Sequence, residues 1–197
     1  MACAAAAGDR ELERFERLYA ASADPWRYRT SAYERQKYAD TIAALPSRRL
    51  GPVLEVGCSI GVFTQSLARR CERVLALDFS PRALELARER LGGRANVELR
   101  RGRFPEQAPT GPWDAVVCSE VLYYLQPESL ARAIGWLEAR LRGGATVVAV
   151  SWRGTGVDEP LRGDDVHDLL ARALARWHDL DGRREGYRLD RFDGNGG

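Results

Sequence analysis

An acidic residue and two glycines mark the segment of this chain with the clearest chemical meaning. Glu55 interrupts a short apolar run, residues 53–56, of the kind found in strands that are covered on both faces of a parallel sheet. Gly57 and Gly61 follow, and such glycines allow a sharp turn and a close approach of the backbone to a ligand. A carboxylate at the end of a buried strand is costly unless something hydrogen-bonds to it. The segment therefore predicts a ligand-facing strand, turn and helix.

A second carboxylate, Asp78, ends the next apolar run and lies 21 residues after Gly57. A carboxylate at about this distance, at the end of the second strand, holds the ribose hydroxyls in nucleoside-binding α/β folds. The alternative role is helix capping, but Ser80 before Pro81 already provides a cap. We therefore expect Asp78 to bind a ribose.

The glycine turn departs from the two common phosphate-binding motifs. The dinucleotide fingerprint G-x-G-x-x-G is broken by Ser59, and the Gly-Lys-Ser/Thr ending of the phosphate loop is absent from a chain whose single lysine is Lys37. What is left, an acidic residue with glycines two and six positions later, resembles the first motif of S-adenosylmethionine-dependent methyltransferases. The alternative is an ordinary tight turn of a doubly wound domain.

Composition narrows the class of protein. The 197 residues suffice for one sizeable domain, and a net charge of +2 gives no strong field for nucleic acid or membrane. The four cysteines, at positions 3, 58, 71 and 118, lack metal-ligand or disulfide spacing, and with two histidines they form no metal site. No run reaches transmembrane length and no secretory signal is recognisable. These features favour a cytoplasmic protein with reduced thiols that uses no metal.

Strands alternate with helices along the chain after two N-terminal helices, which run from Asp9 to near Ser22 and from Ser31 to Leu45. This alternation predicts a doubly wound α/β fold with right-handed crossovers. Predicted strands cover 53–56, 74–77, 97–99, 115–118 and 145–150, with a closing hairpin from 177–180 and 187–192. Predicted helices cover 62–71, 81–91, 128–141 and 165–176. We expect one domain over 1–197, with a helical cap at 9–46, an α/β core at 52–192 and a tail at 193–197.

Several separate segments together resemble one family of methyltransferases. They are Asp24-Pro25-Trp26, Ser31 to Tyr38, Leu45-Pro46, Glu55 to Gly61, Ser119 to Leu125 and Tyr187 to Asp190. In this pattern the chain resembles the nodulation protein S family, named for an N-methyltransferase acting on the exposed amine of a glucosamine unit in a chitin-like oligosaccharide. The resemblance implies a Rossmann-like methyltransferase fold: a mostly parallel seven-stranded sheet with an antiparallel edge hairpin and an N-terminal helical lid. It also implies S-adenosylmethionine as cofactor and S-adenosylhomocysteine as product.

The resemblance also implies roles for individual residues toward this cofactor. Asp78 would accept from the ribose and Phe79 would lie against the adenine. Many methyltransferases place an aspartate after the third strand for the adenine amino group, and the matching segment here is Gly102-Arg103-Phe104, so a backbone carbonyl is expected to take over. The remaining expected cofactor residues are Glu55, Gly57, Cys58, Ser59, Gly61 and Ser119, with Trp26, Tyr33 and Arg35 as a lid.

Methyl transfer to an amine requires alignment and a neutral nitrogen, so the site needs a group that can take a proton. Glu120, after the fourth strand, is expected to orient the amine and take its proton, the alternative being a carboxylate paired with an arginine. His167, at a helix start, is a second candidate base or else a surface or capping residue. Tyr123 and Tyr124 are expected to contact substrate hydroxyls or to pack in the core.

These observations predict an N-methyltransferase for a small-molecule amine, an amino sugar or aminoglycoside-like product. The fourth strand lacks the Asn/Asp-Pro-Pro-aromatic turn that holds a flipped base, so neither nucleic acid nor membrane is an expected partner. A homodimer is a possible assembly. Two alternatives stay open, namely a non-catalytic cofactor-binding domain that regulates a partner enzyme and a small-molecule O-methyltransferase.

Overall fold

The computed structural model describes residues 2–154 and 159–195, the first eight of these by their backbone alone. The described part contains seven strands: β1 (Leu50–Val56), β2 (Cys71–Asp78), β3 (Val97–Arg101), β4 (Ala115–Ser119), β5 (Thr146–Trp152), β6 (His178–Arg183) and β7 (Tyr187–Asp193). They form one sheet in the order β3-β2-β1-β4-β5-β7-β6. The first five are parallel, and β7 pairs antiparallel with both β5 and β6. The predicted mostly parallel seven-stranded sheet with an antiparallel edge hairpin is confirmed.

Six α-helices connect and cover these strands within the described residues. They are α1 (Ala2–Ala21), α2 (Ala32–Ala44), α3 (Val62–Leu67), α4 (Pro81–Leu91), α5 (Pro127–Arg142) and α6 (Gly163–Ala173). Helix α1 begins before Asp9, so the predicted cap at Asp9 is wrong. Helix α3 ends earlier than predicted because Cys71 already pairs with Leu50 at the start of β2. The last predicted helix ends at Ala173, and a separate 3-10 turn, Ala175–Trp177, leads into β6.

The sheet is buried on both faces because its central strands carry apolar side chains in both directions. Leu54 and Val56 pack on the side of α5 and α6. Val53 packs on the opposite side with residues of α3 and α4. Burial of this kind makes the continuous apolar runs of parallel strands favourable. The polar residue of β1, Glu55, is therefore exceptional.

Local signals explain several element boundaries. Ser80 Oγ accepts a hydrogen bond from the Ala83 N–H at 3.0 Å, so the predicted cap of α4 is confirmed. The thiols of Cys58, Cys71 and Cys118 are free and buried. Strand β7 continues to Asp193, one residue into the segment predicted as a tail.

Neither a membrane-spanning helix nor a metal-ligand cluster occurs in the part of the chain that the structure describes. No helix in that part is both long and apolar enough to cross a bilayer. The described residues also contain no group of three or more histidine, cysteine or acidic side chains arranged to hold a metal ion.

Candidate active site

The carboxyl ends of β1 to β4 open into a cavity of about 360 Å³, a size typical of small-molecule sites. Helices α1 and α2 form its other walls. Most residues predicted for the site line this cavity: Trp26, Tyr33, Glu55, Gly57, Cys58, Ser59, Asp78, Phe79, Gly102, Arg103, Phe104, Ser119, Glu120, Tyr123 and Tyr124. Ligands in open α/β sheets bind at this edge.

The loop after β1 requires glycine at its first position. Gly57 has a φ of +79°, and a Cβ there would lie 2.1 Å from Val121 Cγ2. Its N–H donates to the Leu77 carbonyl at 2.8 Å, which ties the loop to β2. Ser59 also has a positive φ, 49°, and its Oγ lies 2.6 Å from the Tyr19 hydroxyl oxygen. The loop is thus fixed from β2 and from α1.

Gly61 has a different role from the one predicted for it. A Cβ at this position would lie 3.2 Å from both Ala87 Cβ and Leu91 Cδ1, and its φ is +76°. Gly61 therefore lets α3 begin close against α4, away from the cavity walls that the described residues form. The prediction that Gly61 lies around the cofactor is therefore wrong. A glycine at this spacing can also be required for the close packing of two helices, and the sequence does not distinguish the two roles.

Glu55 presents an uncompensated carboxyl group to the cavity. The side chain is buried, and its Oε2 has no hydrogen-bond partner among the described residues. Burial raises the pKa of Glu55 to about 8, Asp78 adds to this rise, and the nearby Thr64 hydroxyl opposes it. A ligand that donates a hydrogen bond here would remove an unfavourable feature of the empty protein.

Asp78 joins the first two strand tips. Its Oδ2 accepts from the Ser59 N–H at 2.8 Å, and its Oδ1 accepts from the Ser80 N–H at 2.9 Å. Burial raises the pKa of Asp78 to about 6, although these backbone donors act in the opposite direction. The carboxylate is therefore held in a fixed orientation at the cavity wall, at the end of β2 as predicted.

Aromatic side chains from α1 and the following loop cover the cavity. The Phe15 ring packs edge-on against Phe79, with centroids 5.3 Å apart, and 5.8 Å from Trp26. Trp26 stacks on Tyr28 with centroids 5.6 Å apart. Neither Phe15 nor Tyr19 of the first helix was predicted for the site, and Tyr28 had no predicted role. Helical spacing alone identified their buried face, without showing that this face borders a site.

At the β4 end, a lysine lies between two carboxylates. The Lys37 Nζ is 2.6 Å from Glu120 Oε1 and 3.0 Å from Glu34 Oε1, and the lysine side chain is only 2% exposed. Tyr33 completes this arrangement with its ring centroid 5.0 Å from the ammonium. Neither Glu34 nor Lys37 was predicted as a site residue. Glu34, Lys37 and Thr41 are spaced by three and four residues, so they share one face of α2, and all three are buried. This spacing was the signal that could have identified them.

Glu120 is held by three donors. Besides the lysine, the Tyr123 hydroxyl donates to Oε2 at 2.6 Å and the Trp152 N–H donates to the same oxygen at 2.9 Å. The backbone of Glu120 adopts a φ of +57°, which is rare for a side-chain-bearing residue and is typical of functional positions. The alternative of an arginine partner, considered from the sequence, is wrong because Lys37 occupies that place.

Glu34 has one oxygen left over. Its Oε2 is buried without a hydrogen-bond partner among the described residues, whereas Oε1 accepts from Lys37. Burial raises the pKa of Glu34, the lysine ammonium opposes this shift, and Glu120 adds to it. The three charged groups give this end of the cavity a net charge of −1 when all are ionised. Such a site favours a cationic or hydrogen-donating ligand.

The structure places His167 away from the cavity. Its side chain is fully buried, and its Nδ1 lies 2.9 Å from Asp190 Oδ2 on β7. Arg188 Nη2 is 3.4 Å from the same carboxylate. The prediction of His167 as a base near the acceptor is therefore wrong in position. The residue lies on the face of α6 that packs against the sheet, where one imidazole nitrogen pairs with one carboxylate oxygen.

Arg35 is exposed on the outer side of α2. Its Nη1 donates to the Thr30 carbonyl at 2.8 Å, and the residue does not contribute to the cavity walls in the described part of the chain. Two residues along a helix turn through about 200°, so an inward Lys37 requires an outward Arg35. The predicted lid role of Arg35 is wrong, whereas Trp26 and Tyr33 do line the cavity.

Residues 7–155 match the family model described as nodulation protein S (NodS). The chain belongs to the nodulation protein S family. The NodS protein of Bradyrhizobium diazoefficiens is 42% identical over 106 residues, which cover 52% of this chain and 50% of that protein. The chain thus spans about half the length of the curated relatives it matches.

Solved structures support the same fold for this NodS-family chain. A candidate methyltransferase from Pseudomonas syringae is 34% identical, with a TM-score of 0.71, over 83% of this chain and 99% of that one. The N-methyltransferase NodS of Bradyrhizobium japonicum WM9, in complex with S-adenosylhomocysteine, is 23% identical. Its TM-score is 0.73 over 92% of this chain and 97% of that one.

Proposed function

We propose that this chain is an S-adenosylmethionine-dependent N-methyltransferase that acts on the amine of a small molecule. The expected acceptor is an amino sugar or an aminoglycoside-like product. Membership of the NodS family supports the reaction type. The observation that carries the proposal is the pairing of Lys37 with Glu34 and Glu120 at the end of the cavity next to the β1 loop. It provides a negatively charged acceptor site beside a nucleoside-type site.

The residues at the other end of the cavity fit the cofactor. Asp78, fixed by two backbone donors, offers a carboxylate to the ribose hydroxyls, and Phe79 offers an aromatic face to the base. The unpartnered Oε2 of Glu55 suits a hydrogen-bond donor of the methionine portion. Gly57, whose added Cβ would collide with Val121, keeps the backbone open to the ligand.

When bound, the cofactor supplies a methyl group on a sulfonium, and transfer of that methyl group consumes the positive charge on sulfur. The protein mainly aligns donor and acceptor, which contributes about 7–11 kcal/mol in favourable cases. Trp26, Tyr28 and Tyr33 line the cavity and exclude water from the reacting groups. Their ring faces also favour a cation beside them.

The acceptor amine must present a lone pair, so it has to lose its proton at the site. Glu120 already accepts from three donors, and we assign it the task of orienting the acceptor end together with Lys37. Glu34 is better placed to take the proton because its Oε2 has no partner in the described residues and burial raises its pKa. An alkyl hydroxyl would need a stronger base or a metal.

The test is turnover of matched acceptors by the purified chain with S-adenosylmethionine. Glucosamine and fully deacetylated chitin oligomers are compared with glucose and with the N-acetylated oligomers, and S-adenosylhomocysteine release is measured. We expect product only with the free amines. Turnover of the hydroxyl compounds alone would establish the O-methyltransferase alternative.

A matched variant separates an enzyme from a regulatory cofactor-binding domain. Glu120→Gln keeps the size of the side chain but removes the charge that Lys37 neutralises. We expect this variant to bind S-adenosylhomocysteine as the wild type does and to lose most turnover. Cofactor binding by the wild type without product from any amine would instead favour the non-catalytic alternative.

A further inference from the structure

Along its sequence, helix α1 passes first the tip of β3, then that of β2 and finally that of β1. This order determines which part of the cavity each of its side chains faces. Tyr19 contacts Ser59 in the loop after β1. Phe15, one turn earlier, packs on Phe79 after β2. Glu11, another turn earlier, reaches the segment after β3. Residues spaced by four lie on one helix face, so all three face the strand tips.

The order of the strands then fixes which part of a bound nucleoside lies below Glu11. Asp78 places the ribose at the tip of β2, and Glu120 places the acceptor beyond β1, at the tip of β4. A ligand that extends from its sulfonium through its ribose must continue toward β3 with its base. The base therefore reaches the segment Gly102 to Phe104, which lines the cavity there.

Two of the three backbone donors in this segment are already used. The Gly102 N–H donates to the Asp78 carbonyl at 2.9 Å, and the Arg103 N–H donates to Gln107 Oε1 at 2.8 Å. These two groups are therefore not available for the ring nitrogens of a base. An acceptor for the amino group of the base would therefore add recognition that these two donors do not provide.

Glu11 supplies a carboxylate at this position. Its Oε2 lies 3.0 Å from Arg103 Nη1, and it makes no other hydrogen bond with the described residues. The Arg103 guanidinium lies 4.8 Å from the Phe79 ring centroid, so the carboxylate is held beside the aromatic face available to the base. Burial raises the pKa of Glu11, and the Arg103 and Arg14 guanidinium groups oppose this shift only in part.

We propose that Glu11 accepts a hydrogen bond from the exocyclic amino group of adenine, with Arg103 holding the carboxylate in place. The inference rests on the proposed function, because it concerns the base of the same cofactor. It assigns adenine selectivity to α1, outside the α/β core. A nucleoside without the amino group would leave the Glu11 oxygen unpaired in a partly buried place.

The test is calorimetric titration of the full chain, without an acceptor, with two ligands. They are S-adenosylhomocysteine and its analogue with hydrogen in place of the adenine amino group. We expect the wild type to bind the adenine compound about tenfold more tightly than the analogue. The Glu11→Ala variant should bind both within about twofold, because the acceptor for the amino group is gone.

Glu13→Ala is the matched control, since Glu13 lies on the same helix and pairs only at 4.0 Å with Arg17, both being largely exposed. This variant should keep the tenfold preference of the wild type. If Glu11→Ala also keeps it, the inference is overturned, and a backbone carbonyl is then the acceptor. If the wild type binds neither compound, the proposed function itself fails. Far-ultraviolet circular dichroism verifies that each variant is folded.

Discussion

The Lys37 ammonium lies 2.6 Å from the Glu120 carboxylate, although 83 residues separate them in sequence. The contact joins α2, which precedes the sheet, to the tip of β4. It also places the single lysine of the chain where the acceptor is expected to meet the methyl donor. The stability of the fold and the chemistry of the site therefore depend on the same contact.

Replacing Lys37 by methionine should destabilise the fold. The variant leaves two carboxylates buried without their cation, and we expect the free energy of unfolding in urea to fall by about 3 kcal/mol. Adding Glu120→Gln to this variant should restore part of the loss because one of the charges is removed. A loss in the double variant equal to the sum of the losses in Lys37→Met and Glu120→Gln alone would contradict an energetic coupling between Lys37 and Glu120.

Replacing Tyr123 by phenylalanine should impair turnover without affecting the cofactor. The variant removes the hydroxyl that donates to Glu120 Oε2, and we expect kcat/KM for the acceptor to fall about tenfold while the Kd of S-adenosylhomocysteine is unchanged. Tyr187→Phe is the control, because that hydroxyl donates at 2.8 Å to Asp40 outside the cavity. Equal effects of the two substitutions on kcat/KM would argue against a specific role of Tyr123.

Binding of S-adenosylhomocysteine should strengthen as the pH rises through the pKa of Asp78, which burial raises to about 6. The ribose hydroxyls donate to the ionised carboxylate, so protonation competes with binding below that pH. We expect the affinity to increase between about pH 5 and about pH 7 and then to level off. Asp78→Asn should bind at least about tenfold more weakly at neutral pH and lack this rise. A rise of the same size in the variant would assign the titration to another group.

Glu55 should make the cofactor-free protein less stable at alkaline pH. Burial raises the pKa of Glu55 from an ordinary value of 4.5 to about 8, so the folded state binds this proton more tightly than the unfolded state. The resulting stabilisation is complete below about pH 4.5 and is lost as the pH rises through about 8. Glu55→Gln has no proton to lose at this position. The Tm of the variant minus the Tm of the wild type should therefore be larger at pH 9 than at pH 4. A pH-independent difference in Tm would contradict the raised pKa.

Two glycine substitutions should change stability in opposite directions. Gly57→Ala combines a positive φ with a Cβ 2.1 Å from Val121, and we expect the free energy of unfolding to fall by about 3 kcal/mol. Gly135, exposed in the middle of α5, has nothing within 4 Å of an added Cβ. Gly135→Ala should raise the free energy of unfolding by about 0.5–1 kcal/mol. Similar destabilisation in both variants would show that the β1 loop is not specially constrained.

The strand-tip residues could be predicted from the sequence because their signals are local. Glu55 interrupts an apolar run directly before a glycine turn, and Asp78 ends the next run at a spacing set by one strand, turn and helix. Parallel strands bring such ends to one edge of the sheet. The positions of both carboxylates therefore followed from chain order alone.

The polar face of α2 could not be predicted in the same way. An apolar pattern at Tyr38, Ile42 and Leu45 predicts one buried face, but Tyr38 and Ile42 are only partly buried, and Leu45, which is buried, lies just past the end of α2. The most buried residues of the helix instead include Glu34 and Lys37. A change of one residue in the buried position rotates the buried face by about 100° around a helix. The observed face is stabilised by the ion pair of Lys37 with Glu120. Because Glu120 is far from α2 in sequence, no pattern within the helix indicates this contact.

His167, in contrast, was predicted for the site but lies outside it. Its position near the start of α6 suggested proximity to the loops, but its partner Asp190 lies 23 residues later on β7. A histidine that meets a carboxylate across a helix–sheet contact has no signature in its own segment. Only the register of β7 against β5 brings the two groups together.

Helices α1 and α2 divide the cavity between them, since Tyr19 and Phe15 of the first contact the tips of β1 and β2, while Lys37 of the second contacts the tip of β4. Grafting α2 from a relative onto this chain should consequently alter which amines are methylated and leave nucleoside affinity intact. The reciprocal graft of α1 should do the reverse. The proposed acceptor preference and donor recognition would thus be separable by exchanging one helix at a time over the same sheet.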